Sequence, residues 1–121
     1  MIIEQQHAEL VRALFKDPNE IHPTPVQLAM VHAVLGICGE AGEILDTVKK
    51  SVMYGKHLDY ENLREELGDL EFYLEALRRY VGISRESTLL HNIEKLKIRY
   101  GTKYSNEAAI ARADKAVDNQ S

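Results

Sequence analysis

Apolar and polar residues alternate along most of this chain with the period of an α-helix. Between Val26 and Tyr54 the apolar positions Leu28, Val31, Leu35, Cys38, Ile44, Leu45, Val48 and Val52 recur mostly at steps of three and four. Thr24 and Pro25 suit the start of this helix, one by capping and the other at the first helical position. Gly55 with Lys56 suits its end. A second run, Leu63, Leu67, Leu70, Leu74, Leu77 and Val81, keeps the spacing from a cap at Asp59 to a stop at Gly82. A third opens at Ser84 and carries Leu89, Leu90, Ile93, Leu96 and Ile98 to Tyr100, with Gly101 as terminator. These apolar stripes predict the faces on which the helices pack.

All three prolines, Pro18, Pro23 and Pro25, fall in one short segment. It reads as a loop between a short N-terminal helix, Ile3 to Lys16, and the main body. The tail from Ser105 to Asp118 is rich in alanine and charge, with too few large apolar residues to anchor itself; a peripheral helical tail is expected over 106–121. No strand pattern, internal repeat or low-complexity tract is present. Short loops imply antiparallel neighbours, so the expected fold is all-α, an antiparallel helical bundle with a four-helix core.

Composition narrows the picture. At 121 residues and 45% hydrophobic, the chain suits a single domain, 1–121, with one core of ordinary size. A net charge of −4 gives no electrostatic reason to expect a nucleic-acid polymer or an anionic membrane as partner. The single cysteine, Cys38, cannot form an intrachain disulfide and is expected as a small core residue in a reducing compartment. MIIEQQHAEL has no basic start followed by an apolar run, and no stretch approaches the roughly 20 apolar residues of a membrane helix. A soluble, cytoplasmic protein is expected.

Candidate chemistry lies in two pairs of carboxylates. In GEAGEILDTVKK, Glu40 and Glu43 are three residues apart; in EELGDLEFYLE, Glu66 and Asp69 are too. At that spacing two side chains share one helix face, about 5–6 Å apart at Cβ. If the helices reverse around residues 55–58, Glu43 and Asp69 lie at similar distances from the turn, roughly 15–17 Å at 1.5 Å per residue. Four carboxylates could then meet at one level of a hairpin. Partly buried, they would repel unless protonated or neutralised by cations. Oxygen-only ligands favour Mg²⁺, with Mn²⁺ next. Gly39, Gly42 and Gly68, interleaved with the acids, read as clearance for a crowded site. The alternative is a solvated acidic face, common on any exposed helix.

GEAGEILDTVKK, YGKHLD, LREELGDLEFYLEALRRYVGIS and NIEKLKIRY together resemble the MazG-like nucleoside triphosphate pyrophosphohydrolases, over residues 26–105. That all-α superfamily also includes dimeric dUTPases and phosphoribosyl-ATP pyrophosphohydrolases. The resemblance implies that Glu40, Glu43, Glu66 and Asp69 bind Mg²⁺, that Glu40 or Glu43 takes a proton from the attacking water, and that a nucleoside triphosphate is split to monophosphate and pyrophosphate. Asn92, Lys95 and Arg99, on one face of the third helix, would meet the nucleotide. Lys49, Lys50, Lys56, His32, His57 and Tyr73 are further candidates. It also implies a homodimer or homotetramer and a role in nucleotide-pool housecleaning. One departure is Gly39, where relatives more often carry a glutamate in EExxE. A dUTPase-like or phosphoribosyl-ATP-cleaving relative keeps the chemistry and changes the substrate; a non-catalytic helical assembly module discards the chemistry.

Overall fold

The computed structural model describes residues 2–101, and the tail expected at 106–121 lies outside them. The described residues form α1 (Ile3–Leu14), a single 3-10 turn (Pro18–Glu20), α2 (Pro25–Tyr54), α3 (Tyr60–Val81) and α4 (Arg85–Tyr100), with no strand among them. The chain is all-α, as its periodicity predicts.

Local signals set each boundary. Phe15 is already extended, so α1 ends at Leu14, two residues before the expected Lys16. A capping box opens α2: Thr24 Oγ1 accepts from the Gln27 N–H at 3.1 Å, and Gln27 Oε1 accepts from the Thr24 N–H at 2.9 Å. The helix closes on Gly55, whose φ of +66° is the left-handed conformation that glycine adopts without strain. In the turn that follows, the Ser51 hydroxyl donates to the Lys56 carbonyl at 2.8 Å. Asp59 then caps α3 by accepting from the Asn62 N–H at 3.0 Å, and Ser84 caps α4 by accepting from the Ser87 N–H at 3.0 Å.

The tight turn folds α3 back antiparallel on α2: Thr47 meets Glu66, and further from the turn Gly36 meets Tyr73. These are the two described helices that pack along each other; α1 and α4 touch the rest at few points. Along the seam Thr47 meets Asn62 and Glu66, and Gly36 meets Tyr73; Ala33, Ile37 and Ile44 on α2 and Leu63, Leu70, Leu74 and Leu77 on α3 are buried or half-buried. Here the sequence reading needs correction. Leu28, Val31, Leu35, Leu45, Val48 and Val52 are exposed, Leu35 and Leu45 each at 67%, and so is Cys38. Among the described residues Ala33, at 3%, is the one buried apolar side chain. The reason is that α2 carries two apolar faces, and the one with small residues admits the closer approach to α3. On α3 the half-buried positions are Leu63, Leu70, Leu74 and Leu77, as expected, whereas Leu67 and Val81 lie outside.

A second correction concerns membranes. By length and composition alone, α2 is apolar enough to cross one, although no such run was expected. The same helix carries Glu40 and Glu43, and it forms the seam with α3. A helix apolar on several sides is also the signature of one surrounded by protein.

Candidate active site

The two contacts that fix the hairpin's register also fix the level of the acids. Thr47 against Glu66 and Gly36 against Tyr73 bracket the stretch of seam that holds Glu40 and Glu43 on one helix and Asp69 on the other. The matched height read from the turn is therefore the observed one. Glu40 is half-buried, Glu43 and Asp69 are exposed, and Glu66 is buried at 6% exposure.

The other three acids act electrically on Glu40. The Glu40 carboxyl is pushed above its usual range, first by its loss of solvation and then by the charges of Asp69, Glu43 and Glu66. One acid thus registers the other three. Among the described residues, no group of three His, Cys, Asp or Glu side chains is already gathered tightly enough to hold an ion.

Glu66 is the most constrained member. Thr47 Oγ1 lies 2.9 Å from both of its carboxylate oxygens, and the Asn62 amide nitrogen donates to Glu66 Oε1 at 2.8 Å. The same amide nitrogen donates to Thr47 Oγ1 at 2.9 Å. Thr47 is itself buried, at 8% exposure. Neither Thr47 nor Asn62 stands out in the sequence as a site residue. The signal was present all the same: Thr47 is one turn beyond Glu43, and Asn62 one turn before Glu66.

Next to this network lies a polar pocket of about 330 Å³. Glu43, Asp46, Asp59 and Glu66 are its acidic lining; Lys50, Lys56 and His57 bring positive or ionisable groups to it. Lys50 pairs with Asp46 at 2.8 Å, one turn away on α2. That hydrogen bond is the main cause holding the Asp46 carboxyl below its usual range and the Lys50 ammonium above its own; Glu43 and Glu66 add to the latter. A larger groove of about 670 Å³, lined by Ile21, Pro23, Met30, Val31, Val34 and Leu35, belongs to the opposite end of α2 and is mostly apolar.

Other sequence candidates fall away from the acids. Lys49 is exposed on α2 and does not line the polar pocket. His32 stands with its ring 6.1 Å from that of Tyr73, tilted by 56°, and Tyr73 meets Phe72 edge-on at 5.2 Å. Asn92, Lys95 and Arg99 lie on α4, which does not pack along α2 or α3, so the described fold does not bring them to the acids. Arg99 instead lies over the Tyr100 ring, 5.4 Å from its centroid. The glycines are redistributed too. A Cβ at Gly39, Gly42 or Gly68 would meet nothing within 4 Å, so they give no clearance between these helices. Gly36 does, because a Cβ there would run into the Tyr73 ring.

Comparison with known protein families gives a match that spans this region. The model of the MazG nucleotide pyrophosphohydrolase domain matches residues 31–102, which include both acidic pairs, the Thr47–Asn62–Glu66 network and α4. Among curated proteins and solved structures, none matches significantly. With well over half its length covered by that model, the chain belongs to the MazG nucleotide pyrophosphohydrolase domain family.

Proposed function

We propose that the acidic level of the α2–α3 hairpin hydrolyses a nucleoside triphosphate to monophosphate and pyrophosphate with Mg²⁺, or Mn²⁺ in its place. The observation that carries this reading is the match to the MazG nucleotide pyrophosphohydrolase domain over residues 31–102, which hold both acidic pairs; the raised Glu40 carboxyl, with Asp69, Glu43 and Glu66 acting on it, supports it. Four acids at one partly buried level are unfavourable until a cation or protons offset them. The donor set suits a hard divalent ion: it is all oxygen, and Glu66 is held in place by hydrogen bonds from Thr47 and Asn62. Glu40, Glu43, Glu66 and Asp69 would hold the ion. When bound it would offset phosphate charge and lower the pKa of a coordinated water.

The remaining roles fall to the chain itself. Glu40, whose affinity for a proton is already raised, and the exposed Glu43 are the groups suited to accept one from water. Lys50, Lys56 and His57 line the pocket beside Glu43 and Glu66, where a phosphate tail needs positive charge. The protein works as a homo-oligomer in this reading. Leu28, Leu35, Leu45 and Val52 on α2, and Leu90 and Ile98 on α4, all stay exposed and supply the apolar surface for it. A second copy is then the source of the Asn92, Lys95 and Arg99 contacts to the nucleotide. A place in the cytoplasm, clearing unwanted nucleotides, fits this chemistry.

The test is a panel of ribo- and deoxyribonucleoside triphosphates, dUTP and phosphoribosyl-ATP, assayed with Mg²⁺ for pyrophosphate and for orthophosphate. Pyrophosphate released from at least one member, and suppressed by chelation, is the expected result. Orthophosphate alone, or no turnover of any member, overturns the reading.

A further inference from the structure

The hydrogen bonds around Glu66 carry an inference that rests on the metal-dependent reading above. We propose that Thr47 and Asn62 are positioning residues that lock the Glu66 carboxylate and reserve its Oε2 for the cation. The argument is one of proton counting. The Asn62 amide has two N–H donors; one goes to Glu66 Oε1 at 2.8 Å and the other to Thr47 Oγ1 at 2.9 Å. Turning that amide over would set its carbonyl oxygen against the Glu66 carboxylate and against a hydroxyl whose proton is already committed. The observed orientation is thus dictated by its neighbours.

Because Thr47 accepts from Asn62, its single proton is left for Glu66, from which both oxygens stand at 2.9 Å. Oε1 has a full donor of its own in Asn62, whereas Oε2 has only a share in one hydroxyl proton. Each carboxylate oxygen has two lone pairs, so the spare capacity of Glu66 is concentrated on Oε2. A buried carboxylate held in this way keeps one orientation, and Oε2, which accepts only from the Thr47 hydroxyl, keeps lone-pair capacity to spare. The lock is tied to the backbone as well, since Asp59 fixes the Asn62 N–H at 3.0 Å where α3 begins. The α2–α3 turn thereby sets the direction of a candidate ligand from two helices at once.

Mn²⁺ binding to the full-length chain, followed by the electron paramagnetic resonance of the free ion, tests the assignment. Wild type is compared with Thr47→Ser, Thr47→Val and Asn62→Ala, each alone and in a Glu66→Gln background, with circular dichroism as the check on folding. Thr47→Val and Asn62→Ala should each weaken Mn²⁺ binding by about 10–100-fold, and Thr47→Ser should restore it. In the Glu66→Gln background neither change should weaken it much further, which a loss of packing alone would not produce. Wild-type affinity in both Thr47→Val and Asn62→Ala, or an equal loss with and without Glu66, overturns the proposal while leaving the metal-dependent reading intact. A wild-type chain that takes up no Mn²⁺ overturns both. Asn62→Ala also supplies the comparison should Thr47→Val not fold.

Discussion

The two ends of the α2–α3 seam are built on opposite principles. Away from the turn, Ala33 and Gly36 bring the helices close, and Tyr73 fills the space that a Cβ would take. Near the turn, the same two helices face each other through Thr47, Asn62 and Glu66, with Glu40, Glu43 and Asp69 above them. One end is held by close approach of small and aromatic groups. The other gathers the charges that act on Glu40 beside a hydrogen-bonded network and a capped turn. Close packing and the proposed chemistry therefore occupy different stretches of one hairpin, and changes at the two ends should have separable effects.

The largest separation is expected at Asp69. Asp69→Asn should lower turnover more than about 100-fold, because an oxygen ligand counts for at least as much as the groups that orient it. The same change removes one of the charges acting on Glu40, so the melting temperature of the metal-free chain should stay level or rise. Retained turnover would remove Asp69 from the site. Gly36→Val should do the reverse. Its side chain meets the Tyr73 ring, and overpacking of this kind costs about 1–3 kcal/mol in urea denaturation, with Tyr73→Ala recovering part of it. A Gly36→Val chain as stable as wild type would mean that the far end is not tightly joined.

The two capping residues sharpen the contrast further. Thr24→Ala and Asp59→Ala should each cost about 1 kcal/mol of stability. Only Asp59 holds the backbone of Asn62, so only its loss should also weaken turnover at temperatures where the chain is folded. The smallest effect is on pH dependence. The folded-state pKa of Glu40 lies above its unfolded value of 4.5, so the folded chain binds more protons than the unfolded one between those two values. Stability of the metal-free chain should thus rise as pH falls through that window, and the rise should shrink in Glu40→Gln. Mg²⁺ at neutral pH should offset the same repulsion and flatten the profile. A profile identical in wild type and Glu40→Gln would contradict the coupling.

Much of this was legible in the chain's pattern. Helix ends were readable because caps and stops are local: Thr24, Asp59, Ser84, Gly55, Gly82 and Gly101 each act within a few residues. The common level of the two acidic pairs was readable because a short turn and a fixed rise leave little freedom. The choice of packing face on α2 was not. Apolar residues occupy two sides of that helix, and periodicity cannot rank them. The decision rests on Gly36 meeting Tyr73, a contact between residues remote in sequence. Thr47 and Asn62 escaped notice for a related reason, since each is an ordinary polar residue until the hairpin sets it beside Glu66.

Gly39 has a wider meaning in this light. It stands next to Glu40, and a side chain added there would meet nothing within 4 Å. Glycine and glutamate codons can differ by a single base, and inside a helix glutamate is the better former by somewhat less than 1 kcal/mol. The adjacent-glutamate form of the motif is thus one mutational step away, with no steric barrier. What restrains that step is electrical, since a further negative charge would stand beside Glu40, on which three others already act. The chain sits beside a small evolutionary junction, at which a stronger grip on cations would be gained at the expense of the metal-free fold.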